Sequence, residues 1–214
     1  MESGILKEMV SVIRAEQQRR ESLRTDEGPE AYYAWCFENE PIINELCLML
    51  LVTLRHQIER ELVWLAGLAA DDGHEISFQQ HDERVKELKG KGRISWDWKK
   101  IEKRLRFKSC EGFKYVEALR HLANSYKHDP SVEPAGDLIE FLDLPSTVRC
   151  APLPQSDRFR EKLATFIGLE KHAPYCDIAE HFIDIADAFL ERVKAQVTLS
   201  KLKPQVPRLS DIGY

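Results

Sequence analysis

The 214-residue sequence has no Gly-rich loop of the kind that cradles phosphates, no internal repeat and no low-complexity tract. Nucleotide-binding loop folds, solenoids and disordered linkers are therefore set aside. Its five cysteines, Cys36, Cys47, Cys110, Cys150 and Cys176, are odd in number and form no Cys-x-x-Cys pair. That excludes a zinc finger and implies a reducing, cytoplasmic setting. Cys36 and Cys47 lie in apolar helical surroundings and read as small core residues. No apolar run spans a bilayer, because the longest, Leu46 to Leu54, is too short, so no membrane is expected as a partner. Met1 to Arg20 is amphipathic and charged, which is unlike a signal peptide. An excess of positive charge is missing too. The net charge is -5, so no whole-molecule field draws in nucleic acid. RNA would need a local basic patch or a groove made by paired subunits.

What is present describes an ordinary folded protein, 43% apolar and 31% charged, with only 10 Gly and 10 Pro. The expected fold is all-α, a helical bundle of six to seven helices over residues 1–200, followed by a flexible C-terminal tail, 201–214. Ile5 to Leu23 has helical periodicity, with Ile5, Met9, Val12 and Ile13 on one face. Glu30 to Ala69 reads as one long helix, or two nearly collinear ones. Its middle, Leu46 to Leu54, is apolar on all sides and is expected at the centre of the bundle. A capping box at Ser77 and Gln80 starts a short helix to Lys89. Ser95 is expected to cap another, Trp96 to Phe107. Further helices are expected over 112–126, 157–169 and 175–199, the last with an apolar stripe of Ile178, Phe182, Ile185, Phe189 and Val193. Residues 131–155 form a Pro-rich, irregular insertion. Its two β-prone runs, 138–142 and 147–150, suit a small hairpin.

Reactive side chains concentrate between Glu117 and Pro130. Arg120, Asn124 and His128 stand four apart, so they form one slanted polar row on a helix. A guanidinium can hold two phosphate oxygens through its planar fork, and an imidazole titrates near neutral pH. Together they suit phosphate chemistry. A purely structural account stands beside this one. Lys127 and His128 favour the negative end of a helix dipole, and Arg120 can pair with Glu117 or another carboxylate.

The segment Leu119 to His128 resembles the motif helix of the HEPN superfamily (higher eukaryotes and prokaryotes nucleotide-binding domains). Members are helical bundles with a long apolar early helix and a later helix carrying an Arg-x(4–6)-His motif. Here seven residues separate Arg120 from His128, a longer spacing than usual. The resemblance implies a metal-independent endoribonuclease of toxin–antitoxin or phage-defence systems, or a relative that only binds or dimerises. In the first case His128 deprotonates the RNA 2′-hydroxyl, Arg120 stabilises the transition state and Asn124 orients the site. Lys114 and Lys127, with Lys108, line the groove, and a homodimer supplies the second row. No metal or cofactor is implied. The alternative is a non-catalytic binding module, an antitoxin, immunity or adaptor protein that docks a protein partner.

Other constellations are weaker. Asp177, His181 and Asp184 have a spacing that suits metal ligands, but they read as the solvated face of their helix. The pair His74 and His81 is no stronger. Arg55, His56 and Glu59 to Glu61 read as solvated or paired charges, although Glu59 is placed to hold Arg120. Trp96 and Trp98, with Arg93, Lys99 and Lys100, read as a covered bundle edge before they read as a base-stacking patch. Cys110, near a helix start, is a weak candidate nucleophile.

Overall fold

The computed structural model describes residues 3–26, 28–69, 73–90, 95–128, 136–144 and 156–203. In chain order come α1 (Ser3–Asp26), α2 (Pro29–Leu68), β1 (Glu75–Ile76), α3 (Phe78–Glu87) and α4 (Trp98–Leu105). A 3-10 turn (Phe107–Ser109) precedes α5 (Phe113–His128), α6 (Gly136–Phe141), α7 (Asp157–Phe166), α8 (Tyr175–Ala195) and β2 (Lys201–Leu202). The described residues are thus mostly helical, and their one sheet is the two-stranded pair β1–β2. The chain divides into two compact units, Met1–Ile58 with Glu111–Phe189, and Glu59–Cys110 with Leu190–Tyr214. α2 and α8 contribute residues to both.

In the first unit α1 differs from its expected face. It buries Leu6, Val10 and Ile13, and leaves Ile5, Met9 and Val12 exposed. The buried set follows the same helical period one position along, because α1 also has to meet α8. Lys7 pairs with Asp184 at 2.8 Å, and Arg14 pairs with Asp177 at 2.8 Å and with Glu180 at 2.5 Å. These pairs are well exposed, so they set the register of α1 on α8 more than they add stability. The turn at Gly28, with φ of 88°, reverses the chain, and Arg20 then reaches Glu40 on α2 at 3.4 Å.

α2 runs for 40 residues through Pro41 without a break. The expectation that its middle is apolar and covered on all sides needs correcting. Cys47, Leu48, Leu50, Leu51, Leu54 and Ile58 are buried, while Ile42, Leu46 and Met49 are exposed. The run therefore has a core face and an open face. No helix among the described residues is long and apolar enough to cross a membrane. Arg55, read from the sequence as solvated or internally paired, is buried at 6% exposure.

α8 buries Ile178, Phe182 and Phe189 as expected, with Ile183 and Ala186 joining them, while Ile185 is half-buried. The insertion is also corrected in part. Its first β-prone run is helix α6, since Leu138, Ile139 and Leu142 follow a helical period and are all buried. The second run, 147–150, lies outside the described residues.

In the second unit the capping box forms as the sequence implies. Ser77 accepts from the Gln80 backbone N–H at 3.2 Å, and the Gln80 side chain accepts from the Ser77 N–H at 2.8 Å. α4 is capped by Asp97 and not by Ser95, because the Asp97 carboxylate accepts from Lys100 N–H at 3.2 Å. Lys201 and Leu202, assigned from sequence to the flexible tail, pair in parallel with Glu75 and Ile76. The tail beyond Lys203 lies outside the described residues.

Gly67 of α2 is fully surrounded. A Cβ there would meet His81 Nε2 and Val85 Cγ2 at 2.7 Å each. His81 is itself buried and donates through Nε2 to the Trp64 carbonyl at 3.2 Å. Gly67 thus sets how closely α3 approaches α2. Gly67→Ala is expected to destabilise the protein by about 1–2 kcal/mol, the overpacking cost exceeding the gain in helix propensity. Urea unfolding of the two proteins measures this difference.

Candidate functional site

α5 begins after the left-handed turn at Gly112, whose φ is 96°, and buries Val116, Ala118, Leu119, Leu122 and Ala123. That apolar face turns Lys114, Glu117, Arg120, His121 and Asn124 towards the half-covered side. Near its C-terminal end, the Tyr126 hydroxyl donates to the Glu45 carboxylate of α2.

Arg120 lies on the edge of this face, with 38% of its side chain exposed. Its Nε and Nη2 both donate to Glu117 Oε2, at 3.1 and 3.0 Å. Glu117 on the same helix is therefore the carboxylate that positions Arg120, the structural pairing that the sequence allowed. Nη2 also donates to His121 Nε2 at 3.1 Å. A guanidinium has only donors, so Nε2 must be the unprotonated nitrogen and Nδ1 carries the hydrogen. Nδ1 is buried, and no acceptor for it exists among the described residues. The ring stacks on Phe141 of α6, with centroids 4.8 Å apart.

Burial lowers the His121 pKa from its ordinary value, and the Arg120 charge lowers it further. Glu117 and Asp137 pull in the opposite direction with less effect. His121 is thus a neutral imidazole wedged between a guanidinium and a phenyl ring. It is the member of this site that the sequence reading overlooked. The signal available was its position four residues after Glu117, on the same face.

Asn124 follows Arg120 by one turn and is exposed. Lys114 is exposed and lies over the Tyr115 ring at 4.7 Å and the Phe166 ring at 5.9 Å. Lys127 and His128 occupy the last turn of α5, and their side chains lie outside the described residues. The structure thus brings Lys114, Arg120 and Asn124 to one face.

The weaker candidates resolve into packing. His181 donates through Nε2 to the Ile167 carbonyl at 3.1 Å, while Asp177 and Asp184 pair with α1. Among the described residues no group of three or more His, Cys, Asp or Glu could hold a metal ion. Trp98 meets Phe107 edge to face at 6.4 Å, and Lys89 covers Trp96 at 5.6 Å. Arg93 lies outside the described residues. The Cys110 thiol is pushed up by burial, the reverse of what a nucleophile at neutral pH needs. No family model, curated protein or solved structure matches the chain.

The low pKa of His121 has a sign that can be checked. The folded state binds this proton less readily than the unfolded state. Stability is therefore full above the unfolded value of about 6.5 and falls as pH drops below it. His121→Gln removes this group's contribution. Urea unfolding between pH 7.5 and 5.5 is expected to show a shallower acid decline in the variant than in the parent.

Proposed function

We propose that this protein is a HEPN-like helical protein that cleaves RNA without a metal, in defence or toxin–antitoxin biology in the cytoplasm. One observation carries the reading. Arg120 is held by Glu117 at an accessible edge of α5, with exposed Asn124 one turn further along. A guanidinium steadied in this way is preorganised for a developing phosphorane charge. The mostly helical fold also accords with the resemblance of Leu119 to His128.

In this reading His128 takes the proton of the RNA 2′-hydroxyl. The 2′-oxygen bonds to phosphorus as the bond to the 5′-oxygen breaks, leaving a cyclic phosphate and a 5′-hydroxyl. Arg120 stabilises the charge on the non-bridging oxygens, and Asn124 orients the phosphate. Lys114 and Lys127 hold flanking phosphates. A second copy of the row, from a partner subunit, protonates the leaving oxygen.

A second reading is favoured by two specific observations. The Arg120 charge is already matched by Glu117, and α1 and α2 carry exposed apolar side chains. Both suit a non-catalytic module that docks a protein, such as a cognate toxin or antitoxin.

Purified protein incubated with a mixed RNA pool in excess EDTA separates the two readings. Cleavage by the parent, reduced about 100-fold or more in both Arg120→Ala and His128→Ala, supports the ribonuclease. Absence of cleavage, or equal cleavage by all three proteins, overturns the assigned roles and leaves the binding module.

A further inference from the structure

From Trp98 to Lys108 the second unit carries six Lys and Arg against a single Glu, in a chain whose net charge is -5. The carboxylates near these cations are used locally. Glu102 accepts from the Lys108 backbone N–H at 3.2 Å, Asp97 caps α4, and Glu87 pairs with Arg104 at 3.1 Å. Lys100 reaches Asp97 at 3.8 Å and donates to the Glu87 carbonyl at 3.0 Å. Lys99, Lys103, Arg106 and Lys108 are left over. All four are exposed, and among the described residues none of them forms an ion pair.

Folding does not account for where these charges stand. Lys99 lies in the first turn of α4, where the helix dipole disfavours a cation. Lys103 follows four residues later, so two like charges share the face opposite the buried Ile101 and Leu105. Only Lys103 suits the dipole, in the last turn. Arg106 ends α4 in the left-handed conformation, with φ of 52°, a position that Gly fills at lower cost. Its N–H donates to the Glu102 carbonyl at 2.7 Å, so the backbone makes this cap and the guanidinium takes no part in it. Phe107 is buried and meets Trp98 edge to face, which fixes the turn that presents Arg106 and Lys108.

We propose that Lys99, Lys103, Arg106 and Lys108 form a surface that binds the phosphate backbone of a nucleic acid without reading its sequence. The apolar content of α4 selects this partner. A helix that lies on a membrane inserts an apolar face, and a protein interface centres on desolvated aromatic or aliphatic anchors. Here Ile101 and Leu105 are spent inside the fold, and Trp98 is half-buried against Phe107. The outer face of α4 offers cations alone. A phosphate backbone is the partner that cations alone hold, through release of its condensed counterions. Lys99 and Lys103 stand about 6 Å apart along the axis, so they meet different phosphates of one strand. The surface belongs wholly to the second unit, whereas α5 belongs to the first. It stands on the placement of these charges and does not rest on the ribonuclease reading.

Fluorescence anisotropy of a labelled 20-nucleotide oligothymidylate, titrated with the full chain, tests the surface. DNA has no 2′-hydroxyl, so the result is independent of cleavage. The parent is expected to bind with a Kd on the order of 10 μM at about 0.1 M salt, and log K to fall against log salt with a slope of about -3, as four phosphate contacts to a single strand require. Lys99→Gln with Lys103→Gln is expected to raise the Kd about 10-fold and to flatten the slope by about 1.4. Arg106→Gly is expected to weaken binding while raising Tm by about 2 °C, because it relieves the left-handed backbone. Those opposite signs separate a binding role from a structural one. Arg120→Ala and Lys171→Ala each remove a positive charge from the first unit and are expected to leave the Kd within about twofold. Absence of oligonucleotide binding at about 200 μM protein, with or without binding to phosphatidylserine vesicles, overturns the proposal. So does unchanged binding in the α4 variants, or an equal loss in Arg120→Ala or Lys171→Ala.

Discussion

Burial of one face of α2 is the constraint on which the rest of this structure depends. Its buried positions up to Ile58 lie in the first unit, and those from Leu62 to Ala66 lie in the second. Each unit must therefore bring its own helices to that face. In the first, the partners include α8, whose Phe182 and Phe189 are fully buried. In the second, Gly67 admits the α3 side chains His81 and Val85 to close range. Helices that pack at such distances transmit their spacing to whatever they carry, because interiors are as dense as organic crystals.

The α5 site follows from this arrangement. Its apolar face is used up in packing, which leaves the polar row at an edge half covered by α6. Phe141 stacks on His121, so the imidazole is desolvated. Glu117 fixes Arg120, and Arg120 fixes the tautomer of His121. The three side chains act as one unit: the carboxylate neutralises and aims the guanidinium, and burial, helped by the guanidinium, keeps the imidazole neutral. In the ribonuclease reading proposed above, a substrate phosphate binds Arg120 outside the fork that joins it to Glu117.

Much of the local structure was legible in the sequence. The α3 capping box needs only Ser77 and Gln80 three positions apart, and the α8 stripe needs only its period. Both are interactions within a few residues, which composition and spacing encode directly. The readings that failed involved choices between near-equivalent faces. Ile5, Met9 and Val12 form as good a stripe as Leu6 and Val10. Leu138 to Leu142 is apolar enough for either strand or helix. Asp97 and Ser95 are both good caps two residues apart.

By itself, then, the sequence determined that the chain is helical, where most helices lie, and that α5 carries Arg120 and Asn124 one turn apart. Those follow from periodicity and local hydrogen bonding. Tertiary structure alone decided which face of α1 is buried, that His81 lies inside, and that His121 is a neutral part of the site. Each depends on a neighbour distant in the chain: α8 with its acidic row, Trp64 with its carbonyl, Phe141 with its ring. Burial and desolvation are properties of the surroundings that packing brings together, and no residue spacing along one helix encodes them.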